Sequence, residues 1–322
     1  MRAVRIEKFV KDYDEIEVSE IPKPQTKDGD VLVQVAAAGV NFVDLLYARG
    51  KHQNNRALVQ PPFTLGLEFA GTVIASGPTS QFAPGDRVFG ARLGSYAQFV
   101  AVRESSLHSI PLNWSFTHAA GLAATAPVSY GALILRGRLK KGETVLIHAA
   151  AGGLGLMAVQ IAKGVGARRY GADEVVNYSE GEWWKKVLKM TNAEGAAVVY
   201  DIVGLVDKSL KCVKHGGRIL IVGFAGTEGS IETIAMNRVL LKQVQIIGYR
   251  FGESERRDPA ETLEAWKGLE GMIEEGLLKP TVFEKEYKGL ERAVTAMKDL
   301  ATRKVWGKAV VLIEPEKGKP RL

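Results

Sequence analysis

Apolar and polar positions alternate over short runs through the first hundred residues. Val4 to Ile6, Ile16 to Val18, Val31 to Val35, Ala70 to Ile74, Arg87 to Phe89 and Tyr96 to Val100 read as strands. Turn clusters such as Lys27-Asp28-Gly29-Asp30 and Pro84-Gly85-Asp86 separate them, and one helix, Val43 to Arg49, ends at Gly50. The pattern predicts a compact β-rich domain.

From Trp114 the period changes. Ser115 to Leu122 and Ala126 to Leu135 read as helices. Strands then recur between helices, at Val175-Val176, Val198 to Ile202, Arg218 to Val222 and Val244 to Ile247. That alternation predicts right-handed βαβ units on a parallel sheet. After Pro259 come the helical stretches Ala260 to Glu275 and Leu290 to Thr302, and a last strand, Lys308 to Ile313. Leu263, Trp266, Leu269, Met272 and Ile273 recur at helical spacing in the first of these, which predicts a core-facing stripe. The expected division is a β-rich domain from residues 1–124 and 254–322, and an α/β domain from 125–253.

Thr144 to Ala167, TVLIHAAAGGLGLMAVQIAKGVGA, organises the second domain: an apolar strand, a small-residue turn, then an amphipathic helix. The turn reads Ala150-x-Gly152-x-x-Gly155, a dinucleotide fingerprint with Ala at its first position. Gly152 lets backbone approach a pyrophosphate, and Gly155 lets helix and strand pack closely. The N–H groups and dipole at the helix start favour the phosphates. Ala151, Gly152, Gly153 and Leu154 are therefore the expected phosphate-binding residues.

Composition narrows the class. Apolar content of 46% and charged content of 25% are those of a globular protein, and no run reaches the roughly 18 apolar residues of a membrane span. The net charge of +7 suits an anionic ligand, a phosphorylated cofactor or, nonspecifically, RNA. Cys212 is the only cysteine, which excludes an intrachain disulfide framework and fits a reducing compartment. The N-terminus lacks a signal-peptide core, so a cytoplasmic location is expected; Pro320-Arg321-Leu322 weakly resembles a peroxisomal address.

Several longer segments carry a resemblance. They are GVNFVDLLYARG (Gly39 to Gly50), PFTLGLEFAGTV (Pro62 to Val73), PGDRVFG (Pro84 to Gly90), HAAAGGLGLMAVQIAK, GADEVVNY, YDIVG, GGRILIVGFAG and IIGYRFG. In this order they resemble the zinc-independent, zeta-crystallin-like quinone oxidoreductases of the medium-chain dehydrogenase/reductase superfamily. The resemblance implies an α/β protein with a GroES-like β-rich catalytic domain and a doubly wound Rossmann nucleotide-binding domain. It implies no metal: zinc-dependent relatives place Cys where this chain has Asn41 and His where it has Leu67, and neither Asn nor Leu supplies a thiolate or imidazole.

Site residues follow by resemblance. Asn41 is expected to orient the cofactor amide or a substrate oxygen. Asp44 joins it on the substrate side or caps the following helix. His52 and Leu46 stand where relatives often have Tyr, so proton transfer by a tyrosine is not expected; His52 is a catalytic candidate that could donate or stack, or else a surface histidine with no catalytic role. Val128 and Tyr130 match a segment near the nicotinamide, Tyr178 a position near the adenosine phosphate. Phe224 and Ala225, with Phe251 and Gly252, follow strands at the ligand-binding end of the sheet.

One departure stands out. After the fingerprint helix, Gly164-Val165-Gly166-Ala167 runs directly into Arg168-Arg169-Tyr170-Gly171-Ala172-Asp173. Roughly twenty residues of the βαβ pattern, including the strand whose end selects NAD or NADP, are missing there. Either a segment has been left out of the sequence or the chain has a deletion, and the intact flanking motifs favour the former. Arg168 and Arg169 read as a surface helix end.

The expected activity is NADPH-dependent reduction of a quinone, with NADH not excluded, by a homodimer paired through the nucleotide domains. An NADPH-dependent enone or enoyl double-bond reductase is the alternative, and a non-catalytic RNA-binding protein a third reading.

Overall fold

The computed structural model describes residues 1–52, 59–167, 174–226 and 232–315. Along the chain come β1 (Arg2–Ile6), β2 (Glu17–Glu20), β3 (Asp30–Gly39), α1 (Phe42–Ala48), β4 (Phe63–Thr64), β5 (Glu68–Ala75), β6 (Arg87–Ala91), β7 (Phe99–Arg103), β8 (Leu107–Ser109) and α2 (Phe116–Ala119). Then follow α3 (Ala126–Tyr130), β9 (Val145–Ile147), α4 (Gly153–Gly164), α5 (Trp183–Met190), β10 (Ala196–Asp201), α6 (Val206–Ser209), β11 (Val213–Ile221), α7 (Met236–Lys242), β12 (Gln245–Gly248), α8 (Phe251–Arg257) and α9 (Pro259–Glu274). The last are β13 (Tyr287–Lys288), α10 (Arg292–Ala301) and β14 (Val310–Leu312).

The first compact unit is Met1–Ala124 with the chain from Pro280 onward. Its main sheet has the order β13-β14-β3-β5-β6-β8, with β7 also on β3. A small antiparallel sheet, β2-β1-β4, accompanies it. The alternation in β3 buries Val31, Val33 and Val35, and these pack with Phe69, Val73 and Val88. Gly71 in β5 is required by close approach, since a Cβ there would stand 2.1 Å from the Gln34 carbonyl oxygen. The strand expected at Tyr96 to Val100 begins three residues later, at Phe99.

The second unit, Thr125–Lys279, is an α/β body on the parallel sheet β12-β11-β10-β9. Val199 and Ile219 sit in its core with Leu210 and Val213. Segment 254–279, expected in the β-rich domain, belongs to this unit instead. Proline at the N1/N2 end of α9 and an Asp258 cap set the start of that helix, which packs on α3. Ala265, Trp266, Leu269 and Met272 are buried as expected, but Leu263 is 67% exposed. Val175-Val176 forms no strand: Val175 is 87% exposed, and β9 pairs only with β10 among the described residues. With no second strand beside β9, that stretch has no ladder to join. Arg168, Arg169, Asp173 and Pro320-Arg321-Leu322 lie outside the described residues. Among those described, no helix is long and apolar enough to cross a membrane.

Candidate functional site

Each unit supplies its own set of polar and backbone groups. In the first, strand register does the positioning. Gly39 pairs with Glu68 across β3 and β5, and with Val310 across β3 and β14. Two residues beyond Gly39 is Asn41, and two before Val310 is Lys308, so the antiparallel register brings Lys308 to Asn41. The Val40 N–H donates to the Ala309 carbonyl at 2.9 Å, which pins that alignment.

A closed polar cluster results. Lys308 Nζ donates to Asn41 Oδ1 at 2.5 Å and lies 2.5 Å from Glu68 Oε1. Asn41 Nδ2 donates to Glu68 Oε1 at 2.9 Å, and the Ala124 N–H donates to Glu68 Oε2 at 2.8 Å. Glu68 is fully buried and Lys308 is 4% exposed. Glycines make the room: a Cβ on Gly39 would stand 2.5 Å from Glu68 Oε1, and one on Gly121 2.7 Å from Lys308 Cγ. Burying these charges is tolerable only because they are paired and hydrogen-bonded.

Asp44 lies beside this cluster. Its Oδ2 accepts from the Asn41 N–H and from Tyr96 Oη, both at 2.8 Å, while Oδ1 has no hydrogen-bond partner. Burial pushes the Asp44 carboxyl up to about 7, against the opposing pull of those two hydrogen bonds and of Lys308. Burial, and then the Asp44 charge, push the Tyr96 phenol well above its ordinary value.

The structure therefore joins Asn41 to Asp44 and gives both internal partners. Asp44 is the N3 carboxylate that caps α1, one of its two expected roles. The Asn41 amide is engaged at both ends, with Lys308 on its oxygen and Glu68 on its nitrogen. His52 stacks on Tyr47, ring centroids 4.7 Å apart. Glu68, Tyr96 and Lys308 escaped the sequence reading. The available signal was Lys308 itself, a charge directly before the final apolar run Ala309-Val310-Val311-Leu312-Ile313.

The metal question turns on donors. Asn41 Oδ1 already accepts from an ammonium and Leu67 has no donor atom. Among the described residues no group of three His, Cys, Asp or Glu could hold a metal.

In the second unit, β9 leads into the glycine turn and α4. Ala149 adopts a left-handed conformation (φ 49°), and its carbonyl accepts from the Gly152 N–H at 2.9 Å. A Cβ on Gly155 would stand 2.3 Å from that carbonyl oxygen and 2.6 Å from Ala150 Cα, so only glycine fits. Gly152 is the N-cap, and no side chain caps α4. Ala151 is exposed, and Gly152, Gly153 and Leu154 are half-buried. This cradle fits a pyrophosphate.

Three more segments leave the same carboxyl end of the parallel sheet. After β10, the Asp201 carboxylate accepts from the Val203, Gly204 and Leu205 N–H groups at 2.7–2.9 Å. After β11, half-buried Phe224 and Ala225 are held by the Ala225 N–H on the Ile202 carbonyl at 3.0 Å. After β12, Phe251 and Gly252 open α8. The segments that carry Ala151 to Leu154, Phe224, Ala225, Phe251 and Gly252 thus all leave the carboxyl end of the sheet. Val128 is half-buried on α3, and the next residue, Ser129, ties α3 to the Leu154 carbonyl and to Tyr200 Oη, each at 3.0 Å. Tyr130 turns to α9, where a Cβ on Gly268 would stand 2.0 Å from its hydroxyl. Tyr178 sits edge-on to His148 at 6.3 Å. His148 is buried, which holds its imidazole below the ordinary value, and its Nε2 bonds Ser209 Oγ at 2.9 Å. That pair is no nucleophile–base arrangement: Ser209 is fully buried and Asp201 is spent on backbone.

Two family models match the chain. The alcohol dehydrogenase GroES-like domain covers residues 27–112, and the zinc-binding dehydrogenase domain covers 153–267. Quinone oxidoreductase-like protein 2 of Rattus norvegicus is 34% identical, over 88% of this chain and 85% of its own. The quinone oxidoreductase of Homo sapiens is 32% identical, over 88% and 89%. Among solved structures, a quinone oxidoreductase of Pseudomonas syringae pv. Tomato DC3000 superposes with a TM-score of 0.84 at 27% identity, covering 97% of this chain and 99% of that one. A mycobacterial protein complexed with NADPH gives 0.84 at 27%, with the same coverage. The CurK enoyl reductase gives 0.84 at 25%, again over 97% and 99%.

Proposed function

The chain belongs to the quinone oxidoreductase family of the medium-chain dehydrogenase/reductase superfamily, and on that premise we propose that it is an NADPH:quinone oxidoreductase working without a metal. The observation that carries the proposal is the Ala149–Gly155 cradle, which only glycine at 155 permits and which leaves the start of α4 to an anionic ligand. NADPH as donor is supported by the likeness to the NADPH-complexed mycobacterial structure and by the net charge of +7.

When bound, the dihydronicotinamide supplies a hydride, which with one proton from solvent converts a quinone to its hydroquinone and leaves the oxidised cofactor. The chain's own groups bind and orient. N–H groups at the start of α4, from Gly152 to Leu154, hold the pyrophosphate. Val128 and the loops at Phe224-Ala225 and Phe251-Gly252 take the nicotinamide half. On the substrate side we assign Asn41, Asp44 and His52. Asn41 and Asp44 act by fixing the Val40–Phe42 backbone, and His52, stacked on Tyr47, contributes its ring to the substrate side. Hydride addition to a quinone spreads charge onto a carbonyl oxygen, so positioning and hydrogen bonds suffice where other carbonyls need a Lewis acid.

A homodimer is part of the proposal. Met236, Leu240 and Leu241 on α7, which packs on β11, are 65%, 76% and 73% exposed. An exposed apolar helix face suits pairing with a second copy.

Enoyl or enone reduction is the second reading, supported by the likeness to the CurK enoyl reductase. Leu46 stands against it, where such enzymes have a proton-donating tyrosine. A matrix of NADPH and NADH against an ortho-quinone, a para-quinone and a crotonyl thioester separates the two. Turnover of the quinones supports the first reading, and turnover of the thioester alone replaces it.

A further inference from the structure

In a complete dinucleotide fold, the strand beyond the fingerprint strand carries at its end the side chain that reads the adenosine ribose. Among the described residues β9 is the last strand of its sheet, in the order β12-β11-β10-β9. Between the end of α4 at Gly164 and the start of α5 at Trp183 the chain has only the 18 residues 165–182. Two further parallel strands and their crossover do not fit, because the crossover alone takes about a dozen residues or more.

What the described part of that stretch does is visible. Val175 faces solvent, and Val176 and Tyr178, like Leu146 of β9, pack against the buried cluster of Trp183, Val187 and Cys212. His148, directly after β9, is wedged edge-on between Trp183 at 5.2 Å and Tyr178 at 6.3 Å. These rings therefore go to the core rather than to an adenosine. The nearby charges are also committed. Glu182 holds Lys185 at 2.7 Å and Glu180 holds Lys186, so these two acids and two cations neutralise each other rather than facing ribose hydroxyls or a 2′-phosphate. The pyrophosphate cradle, by contrast, is complete.

We infer that this chain grips a reduced nicotinamide cofactor by its pyrophosphate and nicotinamide half and reads the adenosine end little. NADPH and NADH are then ligands of similar strength, and dihydronicotinamide mononucleotide, which keeps the nicotinamide half and one of the two phosphates, is only about tenfold weaker at most. The inference rests on the nicotinamide-dependent reading above and limits the selectivity expected from the family. NADPH remains a donor, without a marked advantage over NADH.

Binding, not turnover, is the test. Protein whose intact mass is 35.0 kDa is titrated with each of the three compounds at fixed ionic strength, following nicotinamide fluorescence. Fixed salt matters because the chain's +7 charge attracts the extra phosphate nonspecifically. The expected result is dissociation constants for NADPH and NADH within about threefold, and for the mononucleotide within about tenfold. Adenosine 2′-monophosphate, which carries the adenosine end and neither phosphate of the pyrophosphate, should fail to displace NADPH. A built 2′-phosphate site makes charge-assisted bonds and would separate NADPH from NADH by more than about tenfold. That separation, or displacement by adenosine 2′-monophosphate, overturns the inference and leaves the quinone reductase standing. Failure of all three compounds to bind removes the nicotinamide reading as a whole, and this inference with it. Gly152→Asp gives an internal check. The site has room, since the nearest atom to a Cβ is the Ala149 carbonyl oxygen at 3.4 Å, and the new carboxylate repels phosphate. It should weaken all three ligands by the same factor; a loss confined to the two dinucleotides would contradict the shared grip.

Discussion

Lys308→Met tests the buried cluster of the first unit. Methionine preserves the apolar stem against Gly121 but removes the ammonium. Glu68, fully buried, then loses its only cationic partner at 2.5 Å, and Asn41 Oδ1 loses its donor at the same distance. The Ala124 N–H at 2.8 Å and Asn41 Nδ2 at 2.9 Å still serve the carboxylate, so it is under-compensated rather than bare. Breaking a buried pair from one side costs about 3–5 kcal/mol, and those remaining bonds place this case near the lower end. For a body of this size that corresponds to a fall in melting temperature of roughly 6–12 °C. Glu68→Gln with Lys308→Met removes both charges and should recover most of the loss, with a coupling energy above about 1.5 kcal/mol. Calorimetry on the wild type, both single variants and the double variant measures it. If Lys308→Met melts within about 2 °C of wild type, or the single effects simply add, the cluster is not the paired unit described.

Asp44 gives a pH prediction. Its folded-state value, raised from 3.8 to about 7, means that the folded chain holds a proton the unfolded chain has released. This contribution therefore makes stability fall as pH rises between those values, and flatten above them. Asp44→Asn should lack that fall, and parallel pH profiles of unfolding for the two proteins would refute it. Gly155→Ala places a Cβ 2.3 Å from the Ala149 carbonyl oxygen. It should destabilise by about 1–3 kcal/mol and abolish cofactor-induced fluorescence, so unchanged NADPH titration would rule out the cradle. Leu240→Glu puts a charge on the exposed face of α7 and should shift sedimentation from dimer to monomer. A dimer that survives the substitution would place the interface elsewhere.

Much of this was legible locally. The fingerprint turn announced itself because strand, glycine spacing and helix are contiguous, and the structure shows why glycine is needed at 155. The Asn41–Asp44 spacing likewise marked a capped helix start. What escaped was long-range. Lys308 reaches Asn41 through strand register, over 267 positions of chain. No local period reveals that, and a lysine abutting an apolar run is its trace. The domain return was misplaced because α9 is amphipathic whichever body it joins, and its partner α3 lies far away in sequence. Val175-Val176 has strand composition, yet a strand needs a neighbour, and the shortened chain supplies none. The short span between α4 and α5 could be read from the sequence, and the packing of Val176 and Tyr178 against Trp183 needed the structure.

The central claim is metal-free hydride transfer to a quinone. The most direct test is the yield of hydroquinone per NADPH consumed, measured with an ortho-quinone on chelator-treated enzyme under anaerobic conditions. One hydroquinone per NADPH, at a rate unchanged by the chelator, is the predicted result. No quinone consumption, or activity that the chelator abolishes and zinc restores, would contradict it.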